Sequence, residues 1–211
     1  MSAPQRRFVS RGGDKLEGAL VAFPISVEGC RALDAGCATG GFTDCLLHHG
    51  AAEVVAVDVA YGQFDWGLRN DPRVDLRERT NIRHCTLEDL EAPVDLLCAD
   101  LSFIGLGRLA PVLSPLVDPV RGEAILLVKP QFELPRDMVP RGGVVREPSA
   151  HRHAVLSTVE AYLEHDWHLH GVIESPLTGP KGNREFLVWL RRQMSDLDPE
   201  RSIAQLFEEP A

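Results

Sequence analysis

Only three of the chain's 22 basic residues are lysines, and all three fall in unusual local sequences. Lys15 lies in Gly13-Asp14-Lys15-Leu16, Lys129 ends the apolar run 124–128, and Lys181 sits in Gly179-Pro180-Lys181-Gly182-Asn183. A compact ammonium whose pKa responds to burial can do what a permanently charged guanidinium cannot. A lysine kept in so arginine-rich a chain marks a place where that property is wanted. Two acids stand in similar settings: Asp100 follows Leu96-Leu97-Cys98-Ala99, and Glu185 opens an apolar run at 186–190. A charge beside a buried run is costly unless paired, and paired charges at one sheet edge point to a reactive site.

A second constellation is Leu33-Asp34-Ala35-Gly36-Cys37-Ala38-Thr39-Gly40-Gly41-Phe42. It reads as a strand, a glycine-rich turn and the start of a helix. Gly36 and Gly40 let the backbone approach a ligand, with helix N–H groups facing it. The spacing is neither Gly-x-Gly-x-x-Gly nor a phosphate loop. Asp34 would repel a pyrophosphate but suits an ammonium group, and Asp58, ending the next strand, suits a ribose diol. Acid, glycines, acid is the pattern expected for S-adenosylmethionine. A plain tight turn and a dinucleotide site are the alternatives.

These residues need a scaffold that brings strand ends together. Apolar runs at Cys30–Ala35, Glu53–Asp58, Val94–Ala99 and Glu123–Lys129 read as strands, with helical stretches at Phe42–His49 and Leu106–Leu116 between them. Ala150–Glu164 reads as a helix, and His168–Glu174 and Glu185–Leu190 as further strands. Ser10 can cap a helix carrying Leu16, Ala19, Leu20 and Phe23. The pattern predicts an α/β doubly wound, mostly parallel sheet with helices on both faces. The segment Gln131–Glu147 reads as a loop beyond a strand's carboxyl end, where ligands bind in such sheets.

At 211 residues with 44% hydrophobic and 25% charged, the chain suits one globular domain. The net charge of −9 argues against a bulk electrostatic binder of nucleic acid or membrane, although five of the acids lie in residues 194–211. No 18-residue apolar run occurs, so neither a signal peptide nor a transmembrane helix is expected. Five scattered cysteines without a Cys-x-x-Cys fit a reducing cytoplasm better than a disulfide framework or zinc site. His165, His168 and His170 lack an acid or cysteine to complete a ligand set, so no metal is expected there. Cys37 reads as a space-filler, and Trp66 and Trp189 as packing residues.

The stretches SRGGDKL, DAGCATGGFTDCLL, AVDVAYGQ, LRNDPRV, ERTNIR, ADLSFIGL, LVKPQFE, GGVVREP and GPKGNREFL closely resemble the TlyA (hemolysin A) family of FtsJ-like ribosomal RNA methyltransferases. The resemblance runs from Val9 to Leu187. It implies a class I, Rossmann-like methyltransferase fold that uses S-adenosylmethionine to methylate ribose 2′-hydroxyls. The family's catalytic tetrad would fall on Lys15, Asp100, Lys129 and Glu185. The cofactor would be held by Asp34, Gly36, Thr39, Gly40, Gly41, Phe42, Asp58, Asn81 and Asp100. Arg136, Arg141, Arg146 and Lys181 are the expected substrate contacts, with Arg6, Arg7, Arg11 and Arg184 as further candidates. Members usually begin with a small RNA-binding domain. This chain is expected to start at what resembles the family's interdomain linker, Arg6-Arg7-Phe8-Val9.

The expected organisation is an arm at 1–10, the methyltransferase domain at 11–193 and an acidic tail at 194–211. In that tail Ile203, Leu206 and Phe207 could dock another chain. The expected partner is ribosomal RNA or a ribosomal subunit, with a separate protein able to supply the RNA-binding module. A small-molecule methyltransferase on the same framework is the alternative.

In-line methyl transfer needs the sulfonium carbon and the hydroxyl oxygen held in contact. Lys129 is assigned to orient the hydroxyl and accept its proton, with Lys15 helping to set its charge state and the carboxylates fixing its geometry. Burial lowers a lysine's pKa whereas neighbouring carboxylates raise it, so the two influences on Lys129 oppose each other.

Overall fold

In the computed structural model, residues 7–208 are described; Arg6 and the remainder of 1–6, with Glu209 and the last two residues, lie outside them. Seven strands form one sheet: β1 Arg31–Ala35, β2 Glu53–Val57, β3 Val74–Arg77, β4 Leu96–Ala99, β5 Glu123–Val128, β6 His168–Glu174 and β7 Phe186–Arg191. Their spatial order is β3-β2-β1-β4-β5-β7-β6. The first five run parallel, and β7 is antiparallel to both β5 and β6. The doubly wound, mostly parallel sheet expected from the alternating pattern is therefore the sheet found. Strand order reverses between β1 and β4, which opens a crevice at their carboxyl ends.

Both faces are covered, which is why the central strands are apolar at nearly every position. Ala32, Val54, Leu96 and Ile125 face one layer, formed by helix α1 (Arg11–Ala22) and helix α2 (Gly41–His48). Leu33, Val55, Leu97 and Leu126 face the other, where the long helix Pro148–Leu163 contributes Val155, Val159 and Tyr162. Ser10 caps α1, its hydroxyl accepting from the Gly12 N–H. The two helices α1 and α2 meet so closely that a Cβ at Gly41 would stand 2.2 Å from Ser10 Oγ and 2.9 Å from the Gly13 nitrogen.

Several local expectations are corrected. The stretch 106–116 is three successive helical turns, Leu106–Leu109, Ala110–Leu113 and Ser114–Leu116, because Pro111 and Pro115 remove backbone donors. The loop 131–147 contains two helical turns, Pro130–Glu133 and Arg136–Met138. Trp66 is 76% exposed: it starts a one-turn helix, Trp66–Arg69, that turns Leu68 inward instead. Trp189 does pack, stacking on Phe23. Residues 199–205 form a helix that buries Ile203, and Leu206 and Phe207 also pack on the protein's own core. Those three residues are thus occupied within the fold. No helix among the described residues is long and apolar enough to cross a membrane.

Candidate active site

The four polar residues singled out, three at strand ends and Lys15, are brought together from four elements. Asp100 follows β4 and Lys129 follows β5, both at carboxyl ends. Lys15 comes from the buried face of α1, and Glu185 precedes β7, whose reversed direction puts its start beside the ends of the parallel strands. They form two ion pairs: Lys15 Nζ to Glu185 Oε2 at 2.5 Å, and Lys129 Nζ to Asp100 Oδ1 at 2.5 Å. Lys129 Nζ also donates to Ser102 Oγ at 3.2 Å. Both lysines and Glu185 are buried, so Lys15 and Glu185 compensate each other inside the fold, whereas Lys129 faces a partly exposed Asp100.

The pairs are interleaved between two cavities. Lys15 and Asp100 line a cavity of about 170 Å³ together with Gly36, Thr39, Gly41 and Phe42. Lys129 and Glu185 line one of about 320 Å³ with Lys181, Asn183, Phe103 and Phe132. A third, of about 480 Å³, extends from Gly36 and Asp100 to Asp58 and Asn81.

The glycine turn is built for close approach. Gly36 has φ +93°, and a Cβ there would stand 2.5 Å from the Asp100 carbonyl oxygen. Ala38 shares the left-handed conformation, and its N–H donates to Asp58 Oδ2 at 2.8 Å while Ala60 N–H donates to Oδ1 at 2.7 Å. The Asp58 carboxylate is thereby fixed at the cavity with lone pairs to spare. Asn81 accepts from the Arg83 N–H at 3.1 Å, which fixes its amide in the same wall.

Two expected cofactor residues stand elsewhere. Asp34 is completely buried under the turn, its Oδ2 accepting from the Thr43 N–H at 2.9 Å and hydroxyl at 2.7 Å. Its Oδ1 has no partner among the described residues, and burial, with Asp100 and Asp58 nearby, pushes its carboxyl up to about 7. The geometry therefore gives Asp34 the task of anchoring the first turn of α2, with no opening toward an ammonium group. Gly40 turns away from the cavities, and a Cβ there would meet Leu68 and Phe64.

Among the expected substrate contacts, Lys181 lines the 320 Å³ cavity. Arg136 lines a larger groove of about 690 Å³ together with Arg83, Arg108, Phe103 and Phe132. Arg141 and Arg146 are exposed on the loop and line none of these cavities. Arg11 donates to the Thr178 carbonyl, Arg7 pairs with Glu17, and Arg184 pairs with Glu174.

Three residues escaped the sequence reading. Ser102 accepts from Lys129. Phe103 is 91% exposed with φ +68°, an unusual backbone for an aromatic residue and a frequent mark of a working site. Asn183 is buried, donating to the Gly143 carbonyl at 2.8 Å and accepting from the Val145 N–H at 2.9 Å, so it staples the loop 139–147 over the cavity. Their motifs, ADLSFIGL and GPKGNREFL, were visible, but nothing in residue type alone separated them from ordinary loop residues.

Known proteins resemble this chain in sequence and in fold. Residues 8–192 match the model of the FtsJ-like methyltransferase family. The chain is 51% identical over 189 residues to the 16S/23S rRNA (cytidine-2′-O)-methyltransferase TlyA of Mycobacterium tuberculosis, an alignment covering 90% of this chain and 70% of that protein. A solved structure from Streptococcus thermophilus, 37% identical, superposes with a TM-score of 0.89 over 97% of this chain and 76% of that one. An S-adenosylmethionine-dependent methyltransferase from Mesorhizobium loti, 19% identical, shares the fold with a TM-score of 0.59 over 82% of this chain and 96% of that one.

Proposed function

Since the chain belongs to the FtsJ-like methyltransferases and, within them, to the TlyA family, we propose that it transfers a methyl group from S-adenosylmethionine to a ribose 2′-hydroxyl of ribosomal RNA. The observation that carries this reading is the interleaving of the two lysine–carboxylate pairs between adjoining cavities. One side suits a nucleoside bearing an amino acid: a turn of small residues opening with Gly36, and Asp58 positioned for a ribose diol. S-adenosylmethionine, when bound there, supplies an electrophilic methyl on a sulfonium.

The other side holds the acceptor. Lys129 gives one N–H to Ser102 and faces Asp100, leaving a donor for a ribose hydroxyl. To take the hydroxyl's proton, Nζ must release one of its own. The nearest carboxylate is Asp100, ion-paired at 2.5 Å but with its Oδ1 in no hydrogen bond among the described residues, so the pair must realign for the transfer. With the cofactor bound, the hydroxyl proton would pass to Nζ as a lysine proton passes to Asp100. The methyl's bond to sulfur would break as its bond to the oxygen forms, leaving the neutral thioether S-adenosylhomocysteine. Asp100, partly exposed, then returns its proton to water. The pair of Lys15 and Glu185 holds Lys129's surroundings in place and balances charge at the junction.

The groove beyond favours RNA as the acceptor. Phe103 and Phe132, with ring centroids 5.3 Å apart, stand beside Arg83, Arg108 and Arg136. An exposed Phe103 backed by a half-buried Phe132 and flanked by guanidiniums suits an unstacked base and its phosphates. Five cysteines, all free, agree with a reducing cytoplasm as the place of work.

The test uses radiolabelled S-adenosylmethionine, unmodified ribosomal subunits, and either the unaltered protein or Lys129→Ala. Label entering RNA with the first and vanishing with the second is the expected result. Cofactor binding without any label in RNA would overturn RNA as the acceptor.

A further inference from the structure

A second cluster of reactive side chains lies on the seam between α1 and α2, apart from the tetrad. Glu17 extends from α1, while Cys45 and His49 come from α2 and its C-terminal end, four residues apart and hence on one helix face. Glu17 Oε2 is 2.5 Å from His49 Nε2 and 3.7 Å from Cys45 Sγ, and the three ligand-type atoms lie within 4.8 Å of one another. Cys45 is fully buried, whereas Glu17 and His49 are half-buried, so the cluster is closed on the core side and open on the solvent side.

An ordinary ion-pair cluster explains part of this arrangement: Glu17 is bound by His49 through one oxygen and by Arg7 through the other. It does not explain the thiol, which is turned toward a carboxylate oxygen although Cys45 otherwise packs in an apolar cluster. From this geometry we infer that Glu17, Cys45 and His49 bind a thiophilic divalent cation of the zinc class.

Thiolate, imidazole and carboxylate are the three donors that zinc accepts, and the open side leaves a fourth, tetrahedral position for water. Bonds of ~2.0–2.3 Å require neighbouring ligand atoms to stand roughly 3–4 Å apart. The 3.7 Å between Glu17 and Cys45 already meets this. Glu17 and His49 need to separate by about 1 Å, and Cys45 and His49, within 4.8 Å, complete the set on a small side-chain adjustment. Arg7 stays on Glu17 Oε1 as an outer partner, orienting Oε2 toward the ion. Binding moves the Cys45 thiol proton to solvent, and the two anionic ligands neutralise the cation. Glu17 is two residues from Lys15 on the same helix, so the ion clamps to α2 the helix that delivers a lysine to the active site.

The experiment adds Co²⁺, then Zn²⁺, to the chelator-treated full chain. Co²⁺ is expected to saturate near one equivalent with a tetrahedral visible spectrum and a thiolate charge-transfer band, and Zn²⁺ to displace it and raise Tm. Cys45→Ser and His49→Gln, each checked for folding by circular dichroism, are expected to weaken binding at least tenfold, and Cys45→Ser to remove the charge-transfer band. His48→Gln, whose ring is turned toward Asp44, is expected to bind as the unaltered chain does. A Co²⁺ spectrum without thiolate character, or Zn²⁺ affinity unchanged in Cys45→Ser, overturns the site.

Discussion

Lys15 and Glu185 are separated by 170 positions in the chain, yet their side chains meet at 2.5 Å in a buried contact. Removing one partner of such a pair strands the other's charge, at a cost of ~3–5 kcal/mol, whereas removing both relieves it. Glu185→Gln is therefore expected to lower the unfolding free energy markedly, and the double change Lys15→Met with Glu185→Leu to restore most of it without restoring methyl transfer. Denaturant titration of the three proteins checks the stability, and label transfer the activity. Equal stabilities throughout would show the pair to be energetically idle.

Lys129→Arg separates the two duties assigned to that residue. Arginine keeps the charge beside Asp100 but does not deprotonate. Methyl transfer is expected to fall by roughly 10²–10⁴, with cofactor affinity unchanged. A near-normal rate would leave Lys129 with orientation alone.

Asn183→Ala releases the backbone of Gly143 and Val145. The expected effect is a KM for the RNA raised about tenfold, equivalent to about 1.4 kcal/mol, with kcat and cofactor affinity changed less. Faster protease cleavage near Gly142 and Gly143, whose φ values are positive, would accompany it. An unchanged KM and cleavage pattern would argue against the staple.

The carboxyl of Asp34 is raised to about 7 in the fold, from an ordinary value near 4. Below that ordinary value both folded and unfolded chains hold the proton and no penalty exists. As pH climbs toward 7 the unfolded chain ionises more readily than the folded one, so stability falls, and above 7 the whole penalty stands. Asp34→Asn, which keeps an acceptor for Thr43, is expected to gain stability relative to the unaltered protein as pH rises from 4 to 8. Tm measured across that range checks it, and parallel curves would contradict it.

Arg136 lines the aromatic groove whereas Arg141 does not. Arg136→Gln is expected to reduce the slope of log affinity for RNA against log salt by roughly 0.7, the release expected for one single-stranded phosphate contact. Arg141→Gln is expected to leave the slope alone. Binding titrations at several salt concentrations distinguish them.

Much of the site could be read before the fold because it lies at strand ends. Period and polarity locate where an apolar run stops, and the register of a parallel sheet then brings Asp100 and Lys129 to one edge. Lys15 was detectable through scarcity, as a lysine among arginines. The direction of a side chain was not detectable. Asp34 sits in the glycine motif but points into the layer beneath it, and Trp66 stands outside because a single helical turn has room for only one inward residue. Strand β3, Val-Asp-Leu-Arg, escaped because an edge strand of four half-buried residues lacks the apolar run that marks its neighbours. Asn183 escaped because its role exists only through a loop some 40 residues away.

The reversed course of β7 also orders events during synthesis. A ribosome delivers β1 to β5 first, and with them the glycine turn, Asp58, Asp100 and Lys129. Glu185 emerges only with the strand that slots between β5 and β6, so Lys15, translated well before it, lacks this ion-pair partner until that strand arrives. The residues of the crevice are thus all synthesised before the last of the four paired residues, and the buried Lys15 is matched only by a strand made late.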